Sequence, residues 1–407
     1  MTPTCRSCGD ATLEEVLSLG EQPLANAYLT EADLQLPESR YPLGLGFCPR
    51  CCLAQITHAV DPELMFREYA YFSSVSDEMV EHARTLAERL IVERSLGPDS
   101  LVIELASNDG YLLQHYARRG IPILGIDPAE NVAVAANERG VPTLARFFDM
   151  AMADELRADG RLADVVHANN VLAHVPDVHG FVEGIARILK PSGVAVIETP
   201  YLRELIERLE FDTIYHEHVF YYSLSAISMI FEQHGLAVTD VERIRIHGGS
   251  LRIHATLAGR LAPSGSVEAI LGEEARLGMC TTAYLRDFAQ RVDALRTELL
   301  ALLSDDKAAG RSIAAYGAAA KGTVLLNAFG IGADTIDFVA DRSPHKQGRY
   351  MPGVHVPIVP VERLVERAPD LCLLLAWNFA DEILEQQAEY RRRGGRFILP
   401  APKPTVV

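Results

Sequence analysis

Apolar positions along the 407-residue chain change their rhythm several times. Up to about residue 65 they are scattered among turn formers and show few helical periods. From Asp77, the residues Met79, Val80, Ala83, Leu86, Ala87, Leu90 and Ile91 recur at helical spacing with charges between them, and Gly97-Pro98 ends that helix. Short unbroken apolar runs follow at 101–106, 123–126, 163–168 and 194–199, each bounded by turn residues. Such runs predict strands buried on both faces of a parallel sheet. Helical stretches open at 111–114 and cover 181–189, 201–209 and 224–235. Strands over 237–246 and 251–256, joined by His247-Gly248-Gly249-Ser250, predict a hairpin. After a long helical region at 268–309, the alternation starts again with strands at 312–316, 335–340 and 371–375.

Strands alternating with helices and short turns predict an α/β chain built on doubly wound sheets. The length exceeds one ordinary core, so three domains are expected: 1–65, 66–260 and 261–407. In doubly wound sheets ligands bind at the carboxyl ends of the strands. In the middle domain those ends carry Glu104, Asp127, Asn169, Asn170 and Thr199, with His174 four residues beyond Asn170. Asp127 lies 23 residues after Glu104, the spacing of one β-α-β unit with an acidic residue placed for ribose hydroxyls.

The cysteines sharpen the picture of the first domain. Cys5-Arg6-Ser7-Cys8 and Cys48-Pro49-Arg50-Cys51 are two C-x-x-C pairs. Two intervening residues let both thiolates of a tight turn face one tetrahedral ion, and four thiolates close a structural Zn²⁺ site. Cys5, Cys8, Cys48 and Cys51 are therefore the expected ligands, with Cys52 as a substitute for Cys51 that breaks the spacing. With four of the seven cysteines so paired, reduced thiols on a metal are expected rather than a disulfide framework.

A net charge of −17 argues against a nucleic-acid partner, which needs a basic surface. No apolar run reaches membrane-spanning length and no signal pattern opens the chain, so a soluble cytoplasmic protein is expected.

Candidate chemistry concentrates in Phe211-Asp212-Thr213-Ile214-Tyr215-His216-Glu217-His218-Val219-Phe220-Tyr221-Tyr222-Ser223. So many polar groups among aromatic neighbours suggest a lined pocket, although Tyr and His also serve as satisfied core residues. The aromatic segment around Tyr71 and Ser74 reads either as a ligand-covering loop or as a plug between domains. In the last domain, residues 317–323 form a small-residue turn between a strand and a helix. That is an arrangement for anion binding by backbone N–H groups, with Lys321 adding charge and Asn378 on a neighbouring strand end. Arg342, His345, Lys346 and Arg349 face either that anion or solvent. Substrate binding, a scaffold role and NAD binding all remain open for this domain.

The run Glu104-Leu105-Ala106-Ser107-Asn108-Asp109-Gly110, with Asp127, Asn169-Asn170 and Leu189-Lys190-Pro191-Ser192-Gly193, resembles the class I S-adenosylmethionine-dependent methyltransferases. Ala106 and Asn108 stand where that family's loop usually has glycines, and only Gly110 is kept. Together with the cysteine pairs and Tyr215-His216-Glu217-His218, the whole chain resembles the deoxysugar C-methyltransferases, which act on nucleotide-linked 4-keto-deoxysugars in branched antibiotic-sugar biosynthesis. The resemblance implies a class I methyltransferase sheet flanked by a small zinc module and a C-terminal Rossmann-like domain. It implies S-adenosylmethionine held by Glu104, Ala106, Asn108, Gly110, Asp127, Asn169 and Asn170. Tyr71, Ser74, Tyr222, Thr199, Lys321 and Asn378 are the expected substrate contacts.

Carbon methylation beside a ketone needs a base, a stabiliser for the enolate oxygen and an in-line methyl donor. His218 is the expected base, because an imidazole titrates near working pH. Glu217, Tyr215 and His174 are expected to polarise the ketone or position the sugar, with His216 as support. O- or N-methylation of another acceptor and nicotinamide-dependent oxidation are the competing readings.

Overall fold

The computed structural model describes residues 4–66 and 72–407, organised around three sheets. The first is four-stranded. Glu14–Pro23, Arg40–Cys48 and Leu53–Ile56 pair antiparallel in succession. Its fourth strand is Phe220–Tyr221, from the middle of the chain, with Ala54 opposite Tyr221 and Gln55 opposite Phe220. Leu43, Leu45 and Phe47, with Ile56 opposite Leu45, are buried on one face.

The second sheet has seven strands, in the order Leu236–Ile244, Ser250–Leu257, Leu189–Pro200, Ala163–Asn169, Val102–Leu105, Ile123–Ile126, Thr143–Leu144. The last five in that order pair parallel, and the first two form the expected antiparallel hairpin. Helices cover both faces, which is why the parallel strands are largely apolar, with buried polar side chains such as Glu104, His167 and Glu198 as exceptions. The turn after Val102–Leu105 shows how the chain manages without the usual glycines. Ala106 and Asn108 themselves adopt left-handed φ of 54° and 49°, and Gly110 has φ of 80°. Asn tolerates this region, whereas Ala pays a steric cost there that the surrounding contacts must offset. At Gly110 a Cβ would lie 2.8 Å from Val141.

The third sheet runs Ile358–Pro360, Val339–Asp341, Ile313–Tyr316, Leu371–Leu374, Arg396–Leu399, Thr405–Val406, parallel except for the last strand. This is the doubly wound order with the crossover beside Ile313–Tyr316. The strand expected at 335–340 is shorter, Val339–Asp341, because Thr335 and Ile336 close a turn onto Gly332. The long helical region divides into Gly265–Leu277 and Thr282–Ala308, since Gly278 takes a left-handed φ of 69° and caps the first helix. Buried apolar side chains form one core through all three sheets, from Leu45 by way of Ile197 and Phe211 to Leu325. No helix among the described residues is long and apolar enough to cross a membrane.

The expectation of thiols alone needs correction. Cys52 forms a disulfide with Cys280, tying the zinc module to the turn between the two long helices. Cys52 is thus not a substitute ligand for Cys51.

Candidate active site

The segment 211–223 is where the three sheets meet. Phe211 stacks on Phe329 of the C-terminal domain, ring centroids 4.7 Å apart. The buried Asp212 carboxylate accepts a 2.7 Å hydrogen bond from Trp377 Nε1 and lies 3.8 Å from Lys321 Nζ. The Val219 N–H donates at 2.7 Å to the Ala173 carbonyl, in the turn Leu172–His174 that follows strand Ala163–Asn169, and Phe220–Tyr221 then joins the zinc module. Three domains therefore fix one short turn.

Within that turn the imidazoles separate. His218 Nδ1 lies 3.0 Å from the Thr213 carbonyl, which can only accept, so Nδ1 carries the proton. Nε2 of the neutral ring is then the basic nitrogen, and the Tyr215 hydroxyl donates to it at 3.1 Å. The His174 ring meets His218 edge-on with centroids 4.7 Å apart. His216 is buried, donates to the Pro42 carbonyl at 3.3 Å and packs edge-on against Tyr41 of the zinc module. Burial lowers its pKa, which keeps it neutral. Glu217 is also buried, and the loss of hydration pushes its pKa up to about 7 despite a hydrogen bond from Asn26. A cavity with room for about one water lies beside His218, lined by Thr213, Leu205, Ala173 and Tyr221.

The strand ends of the middle sheet form a second polar concentration. Asp127 accepts the N–H groups of Asn108 and Ala129, each at 2.9 Å, and burial raises its pKa to about 6. Asn108 Oδ1 accepts the Ser73 N–H at 2.9 Å, so the segment before helix Asp77–Glu93 lies against the loop. Asn169 Oδ1 and Nδ2, Asn170 Oδ1, Glu104 Oε2 and Thr199 Oγ1 are buried and have no hydrogen-bond partner among the described residues. Burial, with Asp127, Asp109 and Glu198 nearby, raises the Glu104 pKa above the usual carboxylate value. Unpaired amide and hydroxyl groups around a strand-end acid fit the hydroxyls, amine and carboxylate of S-adenosylmethionine.

Several expected substrate contacts lie elsewhere. Ser74 donates to Asp109 at 2.5 Å and receives Arg139 at 2.7 Å, so it belongs to the cofactor loop. Tyr222 is fully buried and its hydroxyl donates to the Leu172 carbonyl, making it a core residue. Tyr71 lies outside the described residues. Lys321 sits over the Trp377 ring at 4.5 Å, and Asn378 Oδ1 is buried with no partner among the described residues. The C-terminal turn is already filled. The Ala318 N–H donates to Asp341 at 2.7 Å, and the Ala318 carbonyl accepts Lys346 at 2.7 Å and Tyr28 at 2.6 Å. Lys346 thus turns inward from the basic cluster. Those contacts, with Gly317 and Gly322 packed against Ala376 and Leu375, work against a dinucleotide there.

The sulfurs of Cys5, Cys8, Cys48 and Cys51 all lie within 4.8 Å of one another, the donor set of a closed zinc site. Gln55 Nε2 donates to Cys5 Sγ at 3.1 Å from the strand that pairs with Phe220–Tyr221. Sequence reasoning missed Asn26 and Trp377, and gave Asp212 no role of its own within the run 211–223. Their partners lie more than 160 residues away, and no local pattern announces them.

Comparisons with known proteins match three successive stretches of the chain. Residues 5–66 match a family model described as "Putative zinc binding domain", residues 79–241 a methyltransferase domain, and residues 245–402 a C-methyltransferase C-terminal domain. C-methyltransferase NovU of Streptomyces niveus is 37% identical over 406 residues, covering 99% of this chain and 96% of the relative. A ubiquinone biosynthesis O-methyltransferase of Rhodopseudomonas palustris is 32% identical over 99 residues, covering 24% of this chain and 39% of that protein. Among solved structures, magnesium protoporphyrin IX methyltransferase from Synechocystis covers 45% of this chain and 82% of its own, with 16% identity and a TM-score of 0.35.

Proposed function

The chain belongs to the S-adenosylmethionine-dependent C-methyltransferases, and from that premise we propose that its acceptor is a nucleotide-linked 4-keto-deoxysugar. The nucleotide is thymidine diphosphate, the methylated carbon is the one beside the ketone, and the product is a branched antibiotic sugar. The observation that carries this reading is the state of His218. Its Nδ1–H is spent on the Thr213 carbonyl, so Nε2 is a positioned base with a phenol 3.1 Å away. Oxygen or nitrogen acceptors need less activation than carbon, and a base paired with a hydroxyl donor is what an enolate requires.

Bound S-adenosylmethionine supplies an electrophilic methyl group on a sulfonium centre. Asp127, Asn169, Asn170 and the loop from Ala106 to Gly110 would hold it at the strand ends. His218 Nε2 removes the proton beside the ketone. The C–H electron pair becomes the enolate double bond while the carbonyl pair moves onto oxygen. The Tyr215 hydroxyl, released from Nε2 as that nitrogen takes the proton, turns its hydrogen to the enolate oxygen. His174 and Glu217 position the sugar, and Lys321 and Asn378 face the remainder of the substrate from the C-terminal domain.

Mass spectrometry after incubation with a panel of nucleotide 4-ketosugars tests the acceptor. A product heavier by one methyl group, with the new carbon attached beside the ketone, is expected. Methylation on oxygen, or of none of the panel, would overturn the assignment.

A further inference from the structure

The zinc module reaches into the catalytic turn through one side chain. Asn26 Nδ2 donates to Glu217 Oε1 at 2.6 Å. Among the described residues no second hydrogen bond reaches that carboxyl group. We propose that Asn26 is a positioning residue for the reaction, holding the Glu217 carboxyl group in its working orientation from the neighbouring domain.

Asn26 is itself held on both sides. The Ala25 carbonyl accepts the Thr323 hydroxyl at 2.9 Å, and the Tyr28 hydroxyl donates to the Ala318 carbonyl at 2.6 Å. Leu29 and Tyr350 exchange backbone hydrogen bonds, 3.1 Å and 2.9 Å. The strap 25–29 is thus clamped to the C-terminal domain, while strand Glu14–Pro23 anchors its start in the zinc module. A short polar side chain on such a strap loses little freedom when it bonds a partner, which is the condition for precise positioning.

The surroundings make this single bond matter. Glu217 is buried, and an amide donor favours its ionised form against the cost of burial. Tyr28 is the titratable group of the strap that faces it. The flanking imidazoles are engaged elsewhere, His216 with the Pro42 carbonyl and His218 with that of Thr213. A carboxyl group left without its donor would both rotate and hold its proton more tightly.

The inference rests on the role given to Glu217 above, so its test has one arm that needs no substrate. In the zinc-loaded full chain labelled with ¹³C-carboxyl glutamate, the Glu217 resonance is identified by its loss in Glu217→Gln. Asn26→Ala should move its titration midpoint about one pH unit higher. In turnover, Asn26→Ala should lower kcat roughly tenfold to a hundredfold while leaving zinc content and S-adenosylmethionine affinity unchanged. In a Glu217→Gln background the same substitution should cost nothing further, because Asn26 acts through that carboxyl group. Asn26→Asp serves where Ala perturbs folding, and it should raise the midpoint more by placing a second carboxylate alongside. An unmoved Glu217 midpoint, or fully additive losses in the double variant, would overturn the proposal. A normal midpoint shift without sugar methylation would instead count against the acceptor and leave the positioning of Glu217 standing.

Discussion

The chain contains two doubly wound sheets that use the same device at their strand ends and put it to different ends. In the middle sheet Asp127 accepts the N–H of Asn108 at 2.9 Å, and in the C-terminal sheet Asp341 accepts the N–H of Ala318 at 2.7 Å. Beyond that acid the two clefts diverge. Around Asp127 the side-chain amide of Asn169, Asn170 Oδ1 and Thr199 Oγ1 are buried and have no partner among the described residues. Around Asp341 the carbonyl of the turn, that of Ala318, is taken up within the chain by Lys346 and by Tyr28 of the zinc module, and Asn378 Oδ1 is the buried strand-end atom with no partner among the described residues. The first cleft leaves several strand-end groups for a ligand, and the second is closed over its Ala318 turn by another domain, leaving its Lys321 and Asn378 side toward segment 211–223. A shared topology therefore says where a site can be, and the hydrogen-bond inventory says whether one is there.

The strongest way to break this contrast is to remove zinc. The closing strap and the strand pairing with Phe220–Tyr221 both issue from the zinc module. Chelation should withdraw on the order of 10 kcal/mol of metal-binding free energy. Calorimetry should then show an earlier separate melting transition, and methyl transfer should be lost. His218→Asn comes next: kcat should fall about 10²- to 10⁴-fold with S-adenosylmethionine affinity unchanged.

Asp127→Ala and Asp341→Ala address the two clefts directly. The first removes a charged acceptor and should weaken S-adenosylmethionine by about 1.5–3 kcal/mol, read by titration calorimetry. The second should lower the melting temperature and leave that affinity alone. Weakened cofactor binding in Asp341→Ala would erase the difference between the clefts. A pH series sharpens the same point. Burial raises the Asp127 pKa to about 6, so its carboxylate is lost as pH falls through that value. Because ribose hydroxyls donate to the ionised form, affinity should decline from pH 7.5 to pH 5.5 by roughly the charged share of that bond. In Asp127→Asn the decline should vanish. The smallest effect is expected from Tyr28→Phe, about 0.5–1.5 kcal/mol of stability, because Lys346 still satisfies the Ala318 carbonyl.

The sheets and the metal ligands were legible because their signals are local. Apolar runs bounded by turns marked the parallel strands, and C-x-x-C spacing marked the thiolates. Replacement of two glycines by Ala106 and Asn108 did not hide the cofactor loop, since the backbone keeps left-handed φ at both residues. What stayed hidden depends on distant partners. The dense run after Asp212 reads as a pocket lining, yet Tyr222 lies wholly in the core and Phe220–Tyr221 belongs to the sheet of the zinc module. Neither Asn26 nor Trp377 sits in a motif, and each acts on the turn from another domain. The Cys52–Cys280 link spans 228 residues and likewise leaves no spacing to read.

The account stands most directly on proton removal by His218. With S-adenosylhomocysteine bound in D₂O, methyl transfer is blocked and exchange at the carbon beside the ketone can be followed alone by NMR. Wild-type protein should wash deuterium into that carbon, and His218→Asn should not. Exchange that persists at the wild-type rate in His218→Asn, or that never occurs in the wild type, would contradict it.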